Sequence, residues 1–359
     1  MVSETQSPPS AEPPEADERV RKVSRLTRLL ARPEFGAGLG AVLVWVFFAI
    51  IANDNNFASW ATFAAIMNRA APLGILAVAV ALLMIGGEFD LSIGSILGFA
   101  GMTIMVLVTP SATGGFGWAL WPAILAALVL ALAIGVFNGT LVVATKLPSF
   151  IITLATLFIF RGLTIALARL FTNRTQLGNL DEVSGFALAD TLFASEINIF
   201  GTSFRVSILW WFGMAAVATW ILLRTRQGNW IFGTGGDANA ARNVGVPVNR
   251  VKIALFMGTA FAAFLVAVIQ AVQFTGADTI RGTGLEFQAI IAVVVGGTLL
   301  TGGYGSAIGA SFGALIFAMV QQGIIITGVD GDWFQVFVGV VLVIAVIFNN
   351  FIRLKAAQR

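Results

Sequence analysis

The chain has 359 residues, of which 58% are hydrophobic and only 11% are charged, and its mean hydropathy is +0.90. A soluble globular domain carries about 25% charged residues, so this composition indicates an integral membrane protein. The net charge is +3, and the absence of Cys and His excludes disulfides, Cys or His metal sites and histidine proton relays. We predict no catalytic residue and no metal site. We attribute the basic charge to membrane topology rather than to nucleic-acid binding.

The N-terminal segment, residues 1–34, is predicted to be a basic cytoplasmic tail. Residues 1–18 are rich in Pro, Ser, Glu and Ala and have no apolar period, which is typical of disorder. Residues 19–32 mix basic and apolar side chains. We interpret this stretch as a positive-inside anchor for the first span, and an amphipathic helix on the inner leaflet is the alternative.

Uncharged apolar runs predict about ten transmembrane helices, since a helix needs about 20 apolar residues to cross the hydrocarbon core. In chain order the runs are residues 35–53, 70–87, 91–145, 147–168, 206–223, 253–277, 287–329 and 333–352. Two of the runs are long enough for two spans each, and turn-rich stretches at residues 109–117 and 301–305 divide them. The predicted fold is all-α, with a transmembrane domain over residues 35–352 that is broken or re-entrant at glycine-rich segments.

Most of the 21 Lys and Arg residues fall on one side of the predicted spans when both termini are placed inside. The positive-inside rule therefore predicts that both termini are cytoplasmic. Residues 169–205 then form an external loop, which we interpret as a small cap. Residues 224–252 form a cytoplasmic loop, and residues 353–359 form a short cytoplasmic tail.

The glycine-rich motif GGEFDLSIGS lies between the second and third spans, at residues 86–95. Two glycines and two carboxylates predict a chain break near membrane depth, which requires burial in protein or a lined cavity. We interpret Asp90 as the N-cap of the third span, accepting from the backbone near Ile93. No cap claims Glu88, and a proton or ion site built on Glu88 and Asp90 is an open alternative.

Polar residues inside the apolar runs are candidates for a substrate pathway. For each of them an interhelical hydrogen bond is the alternative. Arg161, inside the fifth span, either pairs with a carboxylate or extends toward the membrane surface. The pathway candidates are Asn68, Glu88, Asp90, Ser92, Phe150, Thr153, Gln270 and Gln288, and further intramembrane polar positions are Asn138, Gln273, Gln321 and Gln322.

The segment RTRQGNWIFGTGGDANAARNVGVPVNRVK, residues 224–252, is long, polar and basic and lies between two apolar runs. Asp237 predicts the N-cap of a short helix over residues 238–244, and Gly245 and Pro247 predict its end. We interpret residues 233–236 as a turn before it. A short capped helix with a small, Ala-rich face outside the membrane predicts a docking element, carried by Gly236, Asp237, Ala240, Ala241, Arg242, Gly245 and Val246.

The chain lacks the sequence of an ATP-binding loop. Such a loop ends in Gly-Lys-Ser/Thr because its lysine reaches the terminal phosphates, and none of the four lysines here follows a glycine. Any transport driven by ATP therefore requires a separate ATPase.

Four blocks of the sequence resemble the sugar-type ABC importer permeases, the family that includes ribose, xylose, galactose and fructose uptake systems. They occur in the family's order, and they are GGEFDLSIGS at residues 86–95, LPSFIITLATLFIFRGL at 147–163, GGDANAARNVGVPVNRVK at 235–252 and AIIAVVVGGTLLTGGYGSAIGASFGALI at 289–316. The resemblance implies a multi-pass permease subunit of the bacterial inner membrane, translocating a monosaccharide.

The same resemblance implies the partners. Two permease copies, as a homodimer or with a close relative, form the pathway in the lipid bilayer. ABC ATPase subunits hold ATP and Mg, so this chain binds no cofactor itself, and a periplasmic sugar-binding protein delivers the substrate. The short helix after Asp237 corresponds to a coupling helix docked on the ATPase. The alternatives are an ion-gradient-driven secondary transporter, a membrane scaffold or receptor, and a branched-chain amino-acid ABC permease.

Overall fold

The computed structural model describes residues 33–52, 56–340 and 343. Nearly all of the predicted N-terminal tail and the whole of the predicted C-terminal tail, residues 353–359, therefore lie outside the described part. Most of the last predicted span, residues 333–352, lies outside it as well.

Most of the described chain is helical and very little of it is strand, which confirms the predicted all-α membrane fold. In chain order the helices are α1 (Pro33–Ile51), α2 (Trp60–Ile85), α3 (Ile93–Val108), α4 (Leu120–Thr145), α5 (Ser149–Thr172), α6 (Phe186–Ala189), α7 (Ser207–Arg224), α8 (Arg226–Gly236), α9 (Ala238–Asn243), α10 (Val248–Gln273), α11 (Leu285–Val295) and α12 (Ala307–Ile326). A further helical stretch runs from residue 333 to residue 340, where the described range ends.

Four short strands form two antiparallel pairs in the described part of the chain. β1 (Gln176–Leu177) pairs with β4 (Ala277–Asp278), and β2 (Glu196–Ile199) forms a hairpin with β3 (Thr202–Arg205). Both pairs include residues of the predicted external loop, so this loop is a small structured cap rather than an irregular connection.

Seven of the described helices are long and apolar enough to cross a membrane, namely α1, α2, α4, α5, α7, α10 and α12. The apolar helices α3 and α11 are shorter, with 16 and 11 residues. At 1.5 Å per residue they rise about 24 Å and about 16 Å, less than the hydrocarbon core of about 30 Å. The predicted count of about ten full spans is therefore not confirmed.

The core is built around α2 and α10, whose sequences are apolar on nearly every face. α2 begins at a Ser59 cap, whose hydroxyl accepts from the Thr62 N–H, and it packs against α7, α10, α11 and α12. α10 packs against α4 at two glycines. A Cβ at Gly139 would lie 2.8 Å from the Ile253 Cα, so only glycine permits this close helix crossing.

After α10 the chain turns back along α3 instead of leaving the core. This re-entrant segment, residues 274–284, packs on a face of α3 that is lined by Gly94, Gly98 and Gly101. A Cβ at Gly98 would lie 2.7 Å from the Arg281 carbonyl oxygen. α11 then begins beside the first turn of α3, so two short helices start next to each other inside the fold.

Three glycine-rich segments that are distant in sequence meet backbone to backbone. We call this contact the glycine junction and define it by Gly87, Gly235, Gly302 and Gly303. A Cβ at Gly302 would lie 2.8 Å from the Gly87 Cα, and a Cβ at Gly87 would lie 3.2 Å from the Gly235 Cα. The Gly303 N–H donates to the Ile85 carbonyl at 2.8 Å. The junction joins the end of α2, the end of α8 and the loop before α12.

We expect Gly235→Ala to lower the thermal unfolding midpoint of the detergent-purified protein. A Cβ at Gly235 would overlap the Ile85 carbonyl oxygen, and overpacking of this kind costs about 1–3 kcal/mol. Gly236→Ala is the matched control, because a Cβ there meets no atom within 4 Å. Its midpoint should stay the same or rise, since alanine favours the helix by up to about 1 kcal/mol. Equal midpoints for the two variants would contradict the junction.

Candidate functional site

The basic loop between the sixth and seventh predicted spans forms two helices rather than one. Thr225 is the N-cap of α8, and its hydroxyl accepts from the Gly228 N–H. The helix ends at Gly236. The prediction that residues 233–236 form a turn is therefore wrong, because they are the last turn of α8. The turn lies instead at a single residue, Asp237, which links α8 to α9.

Asp237 caps α9 as predicted. Its carboxylate accepts from the Asn239 N–H at 2.8 Å and the Ala240 N–H at 3.0 Å. The N–H groups of Ala240 and Asn239 favour the charged form, so the pKa of Asp237 is lower than the ordinary aspartate value. The cap therefore stabilises α9 above the unfolded-state pKa, and this stabilisation is lost as the pH falls through the lowered value.

The exposed face of α9 differs from the one that the sequence predicts. Ala241 is buried, and a Cβ at Gly233 would lie 3.8 Å from the Ala241 Cβ, so Ala241 packs against α8. Ala240 and Arg242 are exposed, and Val244 is 81% exposed. Ala241 is therefore part of the support of α9, because a six-residue helix needs one face to attach it to the protein.

Glu88 forms an ion pair with Lys252 in the first turn of α10. The two side chains are only 9% and 20% exposed. This pair ties the break after α2 to the segment that follows α9. Removing one partner of a buried ion pair costs about 3–5 kcal/mol, because it leaves the other charge unpaired. Glu88 is thus a positioned structural group as well as a pathway candidate.

Asp90 is fully buried, and the prediction that it caps α3 is wrong. One carboxylate oxygen accepts from the Ser92 N–H at 2.9 Å and from the Ser92 hydroxyl at 2.6 Å. The other accepts from the Thr259 hydroxyl on α10 at 2.6 Å. Ser92 occupies the N-cap position instead, and its side chain makes no cap hydrogen bond. Asp90 therefore bonds the break to α10, and it does not occupy the N-cap position of α3.

Two further helices contribute to the cluster around Asp90. The Asn138 amide on α4 donates to the Ser92 hydroxyl at 2.8 Å, and its oxygen has no partner. On α5, the Thr153 hydroxyl accepts from the Leu91 N–H at 3.0 Å. The N–H groups of residues 86–88 still donate to carbonyls of α2, whereas those of Phe89 and Leu91 have hydroxyl partners on α5. The structure thus brings together Asp90, Ser92 and Thr153.

The remaining pathway candidates lie elsewhere. The Asn68 side chain accepts from the Arg205 N–H at 2.8 Å and donates to the Ser203 carbonyl at 3.0 Å, so it holds β3 against α2. Gln270 follows Thr259 on α10 by about 16 Å of helix rise. Gln288 lies on α11, and Phe150 is half exposed in the first turn of α5.

Arg161 on α5 holds the re-entrant segment in place. Its guanidinium donates to the Ile280 carbonyl at 3.1 Å and also bonds the Thr283 hydroxyl. The sequence leaves open either a carboxylate partner or a surface position for Arg161. In the structure its hydrogen bonds go instead to backbone carbonyls and to the Thr283 hydroxyl. The long side chain compensates for the missing helical hydrogen bonds of residues 274–284.

Sequence reasoning missed Lys252, Thr259 and Ser149 as site residues. The Ser149 hydroxyl accepts from the Phe89 N–H at 2.9 Å, next to the Thr153 contact. A polar residue near the start of a span is normally assigned to the membrane surface. A single threonine within a span gives no indication of a functional role. The available signal was the unpaired backbone of the break, which requires nearby donors and acceptors.

The arrangement links an exposed element to a buried polar cluster. Among the described residues, no group of three or more Asp or Glu side chains is placed to hold a metal ion. The exposed helices α8 and α9 connect through the glycine junction to the break at residues 86–92. α9 is therefore connected, through α8 and this backbone contact, to a buried polar cluster between α3, α4, α5 and α10.

Comparison with known proteins agrees with this architecture. The family model described as "Branched-chain amino acid transport system / permease component" matches residues 62–346. The ribose import permease protein RbsC of Escherichia coli (strain K12) is 30% identical over 314 residues, which covers 86% of this chain and 92% of the relative.

Two further relatives cover the chain to a similar extent. The inner membrane ABC transporter permease protein YjfF of Escherichia coli (strain K12) is 31% identical over 80% of this chain and 83% of its own length. The autoinducer 2 import system permease protein LsrC of Escherichia coli (strain SMS-3-5 / SECEC) is 30% identical over 89% and 87%. No solved structure matches. The resemblance to ABC importer permeases is confirmed, and this chain belongs to the branched-chain amino acid transport system / permease component family.

Proposed function

We propose that this chain is the permease subunit of an ABC importer that carries a monosaccharide across the inner membrane. The observation that carries the proposal is the glycine junction, which connects the exposed helices α8 and α9 to the buried break at residues 86–92. Membership in the permease family and the likeness to a ribose import permease support the substrate class.

The proposed partners follow from what the chain contains and lacks. A separate ABC ATPase docks on α9 and supplies ATP and Mg, because this chain has no ATP-binding loop. A periplasmic binding protein delivers the sugar from the opposite side. A second permease copy completes the pathway along α5, whose exposed apolar face includes Phe150, Leu154 and Phe158.

In the proposed cycle, ATP-driven closure of the ATPases moves α9 together with α8. The motion reaches residues 86–87 and 302–303 at the glycine junction and displaces the start of α3 relative to α10. The Glu88–Lys252 pair and the Asp90–Thr259 bond lie across this boundary, so they hold one of the two access states. Rigid elements that slide past each other in this way are a common form of transport switch.

An ion-gradient-driven transporter is a weaker alternative. It requires a carboxylate that is available to a coupling ion, but Glu88 is paired with Lys252 and Asp90 accepts three hydrogen bonds. A branched-chain amino acid is the second candidate substrate, because the family description names that class. The substrate experiment below distinguishes it from a sugar.

We expect the loop that carries α9 to be cytoplasmic and the β2–β3 hairpin to be external. The chain has no Cys, so single cysteines can be placed without background. Asn198→Cys, exposed on β2, should react with an impermeant thiol reagent added to intact cells. Asn239→Cys, exposed on α9, should react only after the inner face is opened. Labelling of Asn239→Cys from outside would reverse the proposed orientation.

Val244 should be a centre of the contact with the ATPase, because a large apolar side chain that is 81% exposed beside a docking helix fits a pocket on a partner. We expect Val244→Asp to reduce ATPase retention in a detergent pull-down at least tenfold, through desolvation of the new charge. Phe200→Asn is the control: Phe200 is also highly exposed but lies on the β2–β3 hairpin, and asparagine tolerates its positive φ. Normal retention of the ATPase by Val244→Asp would contradict the assignment of α9 as the docking element.

In proteoliposomes, we expect ribose uptake only when the ATPase, internal ATP and an external ribose-binding protein are all present. The permease alone, given a proton or sodium gradient, should accumulate no sugar, because Glu88 is paired with Lys252 and Asp90 accepts from Thr259. Leucine with a leucine-binding protein is the parallel substrate arm. Uptake of leucine but not ribose would favour the amino-acid alternative, and gradient-driven uptake without ATP would overturn the ABC proposal.

A further inference from the structure

A long groove lies between α2, α7 and α10 and is bounded at one end by α8. Its volume is about 780 Å³. Along most of its length the walls are apolar, with Leu82, Val217, Leu255 and Phe261 among them. Its polar lining side chains are grouped at the α8 end and are Thr225, Gln227, Trp230 and Arg250. The groove is therefore polar at one end and apolar along the rest, as a cleft for an amphiphile would be.

The dimensions of the groove match one leaflet of a bilayer. Arg250 is in the first turn of α10, and Phe261 marks the apolar end of the groove. The helix rises about 16 Å between these two residues. Half of a hydrocarbon core of about 30 Å is about 15 Å, so the apolar part of the groove runs the depth of the acyl chains of one leaflet.

The polar end of the groove is rich in positive charge. Arg250 lines the groove, and Arg224 and Arg226 are exposed beside Thr225 and Gln227 of its lining; none of the three arginines forms an ion pair with a carboxylate in the described part of the chain. The Arg226 guanidinium lies 5.8 Å from the centre of the Trp230 ring. Tryptophan is enriched where headgroups meet acyl chains, so Trp230 marks the same boundary.

We propose that this groove binds an anionic phospholipid of the adjacent leaflet, with its phosphate at Arg250 and an acyl chain along Val217, Leu255 and Phe261. Basic pockets between transmembrane helices recognise anionic headgroups in this manner. A second copy of the chain fits the groove less well. A twofold contact pairs a patch with itself, so it would bring the same arginines together at the same depth.

The groove is separate from the face proposed for the second permease copy. α7 packs on α2 and α12, whereas α5 packs on α3 and α4. The lipid site therefore does not overlap the face proposed for the second copy, and its test needs no transport assay.

The test measures lipid binding to the delipidated, full-length protein by native mass spectrometry. The probes are phosphatidylglycerol and phosphatidylcholine with identical acyl chains. We expect one phosphatidylglycerol to bind more tightly than phosphatidylcholine. Arg250→Gln should weaken phosphatidylglycerol about fivefold, as expected for one arginine near an anionic headgroup, and weaken phosphatidylcholine less, because the choline ammonium offsets the charge of its phosphate. Gly258→Leu should weaken both lipids by filling the groove, because a Cβ at Gly258 meets no atom within 4 Å.

Lys146→Gln is the matched control, since Lys146 is an exposed charge after α4, away from the groove, and its loss should change neither affinity. Equal binding of the two lipids by the unmodified protein would overturn the proposal, as would unchanged binding by both Arg250→Gln and Gly258→Leu. Displacement of the lipid by millimolar inorganic phosphate would identify a phosphate site instead. A disulfide between two copies of Trp220→Cys would show that a second copy of the chain covers the groove.

Discussion

Backbone hydrogen bonding inside a membrane is the constraint on which the rest of this structure depends. Residues 86–92 and 296–306 leave the helical path within the protein, so their N–H and carbonyl groups need partners other than water. The glycine junction provides part of the answer, since the Gly303 N–H donates to the Ile85 carbonyl. The Ser149 and Thr153 hydroxyls provide another part by accepting from Phe89 and Leu91. Each break is tolerated because neighbouring elements supply hydrogen-bond partners for its backbone groups.

The same contacts link the exposed helices α8 and α9 to the buried cluster. α8 ends against residue 87, residue 88 is paired with Lys252, and residue 90 is bonded to Thr259. An interhelical hydrogen bond contributes about 0.6–2 kcal/mol, whereas loss of one partner of a buried ion pair costs about 3–5 kcal/mol. The second figure is the cost of leaving one charge unpaired, so it says how poorly this boundary tolerates loss of Glu88 or Lys252 alone rather than how strongly the pair holds. This pair joins the break to α10, whereas α8 contacts the break through the glycine junction.

Sequence reasoning succeeded where the determinant is local. Asp237 caps the next residues, and hydropathy identified the long helices because each needs only its own composition. It failed where the partner is distant: the partner of Asp90 is Thr259, 169 positions away, and that of Glu88 is Lys252, 164 positions away. Ala241 shows the same limit, since an alanine-rich face does not reveal which alanine contacts α8. The sequence did not predict that α11 is short, because an uncharged run does not show where a helix within that run ends.

The choice of glycine at the junction also bears on how the proposed switch works. Close packing of glycine backbones orders no side-chain rotamers. It also has no interlocked side chains that must separate when the two surfaces slide. A junction built from interlocked leucines would resist sliding, because each displaced side chain would leave a cavity, at about 2–5 kcal/mol for a leucine-sized loss. Gly87, Gly302 and Gly303 also have positive φ angles, which other residues rarely adopt. In the proposed switch, the junction therefore transmits a push through direct backbone contact, and the Glu88–Lys252 and Asp90–Thr259 contacts connect the break to α10.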